Sequence, residues 1–466
     1  MKTMTRRQFL GRGALLACGA GVITPLLGGS FLSQAGADCL ADLGHLPSGS
    51  PILVTVNLFG GNDGINTVVP LDANEFAQYE ALRPNLKLPR RWLLELDKGA
   101  GSLPRVALNP GMVELAGLFR TDRVVAVLNG VSPPARVTSG LFDHEGSQAN
   151  LQTGLLSGSG FTAPPSGWVG RLNDRLAQGD ETSIVGTDFG GGTLMVTGNS
   201  YRPLSLSSLA SFQVRIDLGD EEVVRTYYRQ IQQLVGQFTG VAESNRRIRA
   251  RMVNLADELR CRTDPYPPLV DTYPADGLGP VLLDIAKLIW GRTPIQTYAV
   301  GLGGFDTHAN QNAGAEDQDS GYVLGEHDRL LAHVSQALTA FYRDLQAHGV
   351  ARDVVILVVS EFGRRANSNN DAGTDHGFAA PVFAIGEKVK GGVYQPYPSL
   401  KDLWVDDYDT EHFSESGNLK QTTDFRRVYE HILVHHFGVP RPEIYGGGNL
   451  LPDDRELGPQ LAQDFL

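Results

Sequence analysis

Cysteine is nearly absent: the 466 residues hold only Cys18, Cys39 and Cys261. Basic residues are also outnumbered, with 40 Lys and Arg against 52 Asp and Glu, a formal charge of −12 and a pI near 5.4. That balance argues against a chain that binds nucleic acid non-specifically through phosphate contacts. No apolar run of 18 residues follows the first forty, so no stable membrane span is expected in the mature chain. The mean hydropathy is −0.15. Internal repeats and true linkers are lacking too. What is present is 41% hydrophobic residues with 55 Gly and 26 Pro, enough for a full core and many loops, which excludes a disordered or fibrous chain.

The first residues carry an export signature. Thr5-Arg6-Arg7-Gln8-Phe9-Leu10 has the form of a twin-arginine signal, followed by a weakly apolar Ala/Leu/Gly stretch from Ala14 to Leu32 and small residues at Ala35-Gly36-Ala37. The expectation is a signal peptide over residues 1–37, the twin-arginine translocase as partner, and a periplasmic or extracellular mature protein. This route carries chains already folded and is used when metal is loaded before export. Cys18 falls in the signal, which leaves Cys39 and Cys261 for a single disulfide in an oxidising compartment.

Short β-branched runs alternate with helical periodicity along the rest of the chain, the pattern of an α/β fold. The clearest strands are Ile52 to Leu58, Val124 to Leu128, Ile295 to Val300, Val354 to Val359 and Val382 to Ile385. They are apolar on both faces, as strands of a helix-covered, mostly parallel sheet are. The best helix, Gly325 to His348, lines up Leu331, Val334, Leu338, Phe341 and Leu345. Residues 38–466 are expected to form one domain, with a helical or loop insertion at about 155–290 that includes a long polar helical block, Glu221 to Leu259.

Chemistry-bearing residues follow the strands, and in open α/β sheets sites form beyond the strands' carboxyl ends. Gly60-Gly61-Asn62-Asp63-Gly64 follows the first strand. Gly303-Gly304-Phe305-Asp306-Thr307-His308, Ser360-Glu361-Phe362-Gly363-Arg364 and Gly373-Thr374-Asp375-His376-Gly377 come later, and Asp143-His144 follows the run at 124–128. Taken singly, each Asp has a plain alternative as a helix cap or turn residue. Together, Asp63, Asp306, His308, Asp375 and His376 form a set of oxygen and imidazole donors for one or two divalent metal ions: zinc, manganese, calcium or magnesium. His327 lies on the sheet-facing stripe of its helix and reaches either the site or a buried hydrogen bond. Glu361 has three roles open to it: binding metal, orienting a histidine, or pairing with Arg364. Arg364 and Arg365 suit an oxyanion.

The order of these motifs, with Thr423-Asp424-Phe425-Arg426 after them, resembles an uncharacterised bacterial family, number 1501 of the domains of unknown function, over roughly residues 50–440. That family is similar to the alkaline phosphatase and sulfatase superfamily. The resemblance implies a three-layer α/β sandwich with a mostly parallel sheet and a metal site at one edge. It further implies that Asp63 and the Asp375-His376 pair share one metal, and that Asp306 and His308 serve a second. Where the superfamily places a hydroxyl nucleophile at a helix start, this chain has Asp143-His144. The expected activity is hydrolysis of a small or polymeric anionic ester, phosphate or sulfate, with Asp143, His144 and Arg364 as catalytic residues. The alternative is a non-catalytic metal-binding or envelope-assembly protein on the same fold.

Overall fold

Among the described residues fourteen strands build three sheets. In chain order they are β1 Ile52–Leu58, β2 Val68–Pro70, β3 Leu94–Glu95, β4 Val106–Leu108, β5 Val125–Ser132, β6 Gly186–Phe189, β7 Leu204–Ser205, β8 Thr297–Leu302, β9 Glu316–Gln318, β10 Gly321–Val323, β11 Val354–Ser360, β12 Ala380–Ile385, β13 Gly392–Tyr394 and β14 Thr423–Asp424. The structure, a computed structural model, describes residues 44–96, 105–133, 142–155, 166–180, 183–212, 255, 258–264, 266–267, 269–270, 272–403, 417–445, 450–451, 461 and 463–466. The chain divides into Met1–Ala41, outside those residues, and Asp42–Leu466, one compact unit. The export signal, Cys39 and nearly all of the 221–259 block therefore lie outside the described residues; Cys261 is disulfide-bonded.

The principal sheet has the order β13-β5-β12-β11-β1-β8-β6-β7, with β14 also on β5. Every pairing is parallel except those of β12, which runs against β11 and β5. Register sets the site: Leu58 stands level with Leu302 on one side and Ser360 on the other. The loops after β1, β8 and β11 therefore leave from one row. Because β12 is reversed, the segment leading into it, residues 373–379, arrives at that same row. The sequence pattern misses this reversal, since a buried strand is apolar on both faces in either direction.

Alternation within the strands divides the core. Ile52, Val54, Val56, Val354, Ile356 and Val358 face one cluster, and Leu53, Val355, Leu357 and Val359 the other. The main helices are α1 His144–Thr153, α2 Trp168–Ala177, α3 Leu278–Trp290, α4 Glu326–Ala347 and α5 Phe425–His435. α3 and α4 cover the first face; α4 contributes Leu331, Val334, Leu338, Phe341 and Leu345. α2 and α5 cover the second, where the rings of Trp168 and Tyr429 stack 4.2 Å apart. Burying these side chains removes on the order of 2 kcal/mol each from contact with water, which is what holds the three layers together.

The stretch expected as an insertion, in its described residues, contributes to all three layers. Within 155–290, β6 and β7 extend the principal sheet from β8, α2 supplies Trp168, Val169 and Leu172 to the core, and α3 covers the opposite face. Strands of four and two residues, Gly186–Phe189 and Leu204–Ser205, lack the apolar run that marks a long central strand, which hides them from periodicity.

Candidate functional site

The loops at the sheet edge cross at very short range, and glycine makes that possible. Gly60 and Gly61 have φ of +117° and +79°. A Cβ on Gly60 would overlap the Asp306 amide, and one on Gly61 the Phe362 ring. Arg364, fully buried, ties the crossing together. Its Nε donates to the Gly61 carbonyl (2.7 Å), Nη1 to the Thr374 carbonyl (2.7 Å), and Nη2 to the carbonyls of Gly60 and Phe305 and to Asp306 Oδ1 (2.6 Å). A guanidinium that donates to four backbone carbonyls and one carboxylate has a structural part here, beside the oxyanion role expected of it. Arg365 is also buried; its Nε donates to the His376 carbonyl.

Above this crossing, three imidazoles surround the Asp306 carboxylate. His376 Nε2 and His308 Nε2 each lie 3.1 Å from Asp306 Oδ1, and His144 Nε2 lies 3.5 Å from Oδ2. His308 Nε2 is 2.8 Å from His376 Nε2. One ligand atom from each of His144, Asp306 and His376 falls within 4.8 Å of the others. Phe362 packs against both His144 and His376, with ring centroids 5.1 and 4.5 Å away.

The far nitrogens settle the tautomers. His376 Nδ1 donates to the Phe142 carbonyl at 2.6 Å, and His144 Nδ1 donates to Glu361 Oε1 at 3.0 Å. In neutral imidazoles this leaves the Nε2 lone pairs of both aimed at Asp306. His308 has Asp375 Oδ1 behind its Nδ1 at 3.5 Å. Glu361 is itself fixed by the Gly60 amide at 2.8 Å and by Gln148 Nε2 at 3.3 Å. Of the three roles open to Glu361, the structure shows it orienting a histidine.

Burial raises the Asp306 carboxyl pKa, but the hydrogen bond and the charge of Arg364 bring it down to about 2. Burial lowers the His376 pKa, with the Arg364 charge acting in the same direction. The pair is thus held as carboxylate and neutral imidazole at neutral pH. Two or three convergent imidazole nitrogens with one carboxylate are a donor set that fits a zinc-like divalent ion, and Glu361 and the Phe142 carbonyl supply the outer hydrogen bonds that such ligands need.

Other expected ligands are not brought to this cluster. Asp63 is completely buried in an ion pair with Arg83; it accepts a 2.5 Å hydrogen bond from Gln311 Nε2 and caps the short helix Gly64–Thr67. Both of its oxygens are engaged, by Arg83 and Gln311 on one side and by the helix amides on the other. Asp375 stands behind His308 instead of facing Asp306. Asp143 is exposed and caps α1, its Oδ1 accepting from the Gly146 amide at 2.6 Å. His327 takes the buried alternative, donating from Nε2 to Asn62 Oδ1 at 3.1 Å. Of the nearby hydroxyls, Ser147 is buried, and Thr138 and Ser139 lie outside the described residues.

Arg83 and Gln311 are the residues that sequence reasoning missed. Gln311 Oε1 accepts from Thr307 and Thr374 hydroxyls while its amide holds Asp63, joining both histidine-bearing loops to the buried ion pair. Neither residue sits in a motif, so only the fold reveals them.

Residues 292–442 match the family described as Protein of unknown function (DUF1501). The matched segment is about a third of the chain and contains Asp306, His308, Glu361, Arg364, Asp375 and His376; Asp63 and His144 precede it. No curated protein matches the chain. A protein in the alkaline phosphatase superfamily from Vibrio parahaemolyticus is similar over 79% of this chain and 72% of its own, at 11% identity and a TM-score of 0.31. Among the described residues no helix is long and apolar enough to cross a membrane.

Proposed function

We propose that this protein is an exported, metal-dependent hydrolase of phosphate or sulfate esters. The observation that carries the reading is the convergence of His144, Asp306 and His376 on one point at the sheet edge, with the outward nitrogen of each imidazole already engaged. These three residues would hold the ion, leaving a position open as catalytic sites do. When bound, a divalent ion there supplies polarisation of an ester oxygen and acidification of a water.

The chain's own groups do the rest. Arg364 and the Gly60-Gly61 turn fix Asp306 against the histidines. Glu361 keeps the Nδ1 proton of His144, so that Nε2 stays a lone pair. His308, the most exposed imidazole of the group at 45% of its side-chain area, is backed by Asp375 and is placed to accept and return a proton at Nε2. The order of the sequence motifs supports the ester class, and the Arg6-Arg7 signal supports export of the folded, loaded protein through the twin-arginine translocase.

The test is metal analysis of the purified exported protein, joined to a screen of phosphomonoester, phosphodiester and sulfate ester substrates. His376→Ala and His144→Ala should each remove bound metal and activity together, whereas His308→Asn should lower turnover with metal retained. Metal-replete protein that turns over no ester would point instead to a metal-binding envelope protein. Replacing Arg6 and Arg7 with Lys should retain the precursor in the cytoplasm.

A further inference from the structure

A second cluster of metal-ligating side chains lies at the other end of the sheet. α5 begins at Asp424, beside the carboxyl end of β5, and runs back for 11 residues at about 1.5 Å each. Just past its end His436 Nε2 donates to the carbonyl of Ile52, the first residue of β1, at 2.9 Å. The last turns of α5 thus stand at the amino edge, remote from Asp306.

His431 and His435 are one helical turn apart and share a face, their ring centroids 4.3 Å from one another. Asp464, from the C-terminal segment, brings Oδ1 to 2.8 Å from His431 Nε2 and 3.7 Å from His435 Nε2. The three ligand atoms lie within 4.8 Å of each other. Packing fixes this arrangement. Phe465 is fully buried with its ring 4.2 Å from that of His431, and Lys390 holds the same segment through its amide on the Phe465 carbonyl (2.9 Å) and its Nζ on the Leu466 carbonyl (2.6 Å).

Convergence points to a cation. His431 Nε2 has Asp464 Oδ1 at 2.8 Å and the Leu466 amide at 3.3 Å, and His435 Nε2 faces the same carboxylate oxygen. Two imidazole nitrogens on one carboxylate oxygen are a donor set that a divalent ion can draw together. Arg427 and Arg441 pair with Glu430 at 2.7 and 2.6 Å, and Lys390 faces Asp464 Oδ2 at 3.7 Å, which leaves Oδ1 to the two histidines.

We propose that His431, His435 and Asp464 form a second site for a zinc-class divalent ion, which fastens the C-terminal segment to α5. Two imidazoles and one carboxylate match zinc and its first-row neighbours and are a poor set for magnesium or calcium. The site stands independently of the hydrolase reading.

The experiment uses the full chain carrying His144→Ala and His376→Ala, stripped with chelator and dialysed against micromolar zinc. It should retain one equivalent of zinc, and zinc should raise its unfolding temperature. Adding His435→Asn, at a half-exposed position that packing does not require, should abolish both effects while leaving the zinc-free unfolding temperature unchanged; Asp464→Asn should act in the same way. Equal zinc content and an equal thermal shift with and without His435→Asn would overturn the proposal. Retention only at millimolar zinc would overturn it as well.

Discussion

Glu361 Oε1 accepts the Nδ1 proton of His144 at 3.0 Å while also accepting the Gly60 amide proton at 2.8 Å. One carboxylate oxygen thereby couples the tautomer of a candidate ligand on α1 to the turn that follows β1. Replacing such a carboxylate next to a ligand histidine typically weakens metal binding by about 10–100-fold. Glu361→Gln should do so here, measured by competition with a chromogenic chelator, with α-helical content unchanged. Unaltered affinity would show that His144 does not bind the ion.

Asp63 and Arg83 form an ion pair with no exposed side-chain area on either partner. Deleting one member strands the other as an uncompensated buried charge, so Asp63→Ala should cost about 3–5 kcal/mol in urea unfolding. The folded fraction should keep its full metal content. Loss of metal at unchanged stability would instead restore Asp63 as a ligand.

Acid should weaken the fold in two stages. Burial lowers the His327 pKa below its ordinary 6.5; as pH falls below that value the unfolded chain takes up a proton that the native chain refuses, and stability declines. Burial alone would raise the Asp63 carboxyl, but the charge and hydrogen bonds of Arg83, with His327 and Gln311, bring it below its usual 3.8. Its stabilisation is therefore complete above that value and disappears as pH drops through the still lower native pKa. Urea midpoints at pH 7, 5 and 3.5 should fall in that order. His327→Gln should shrink the step between pH 7 and 5, to which the buried His436 also contributes, and a midpoint constant over that interval would contradict the account.

Asp143 caps α1 and takes no part in the histidine cluster. Asp143→Asn preserves the cap and should leave any ester turnover within a few-fold of the parent, whereas Asp143→Ala should cost about 1 kcal/mol in stability. A hundredfold fall in turnover with Asp143→Asn would return this carboxylate to the reacting centre.

The sequence by itself determined the architecture and the edge where chemistry gathers. Fully apolar β-branched runs such as Ile52–Leu58 and Val354–Ser360 have few stable settings besides the middle of a helix-covered sheet, and the Leu331-to-Leu345 stripe marks α4 as one of its covers. The loops after such strands bring Asp306, His308, Glu361 and His376 to one edge. Which carboxylates face a shared point was decided only by the tertiary structure. An Asp after a strand has the same local signature whether it caps a helix, as Asp143 does, neutralises a buried arginine, as Asp63 does, or lies among imidazoles, as Asp306 does. The difference comes from partners distant in the chain: Arg83 and Gln311 for Asp63, Arg364 and His376 for Asp306. The reversed β12 and the short strands β6 and β7 were hidden for a related reason. Pairing direction and edge position are properties of neighbours across the sheet, and a strand's own residues encode burial without naming the strand beside it.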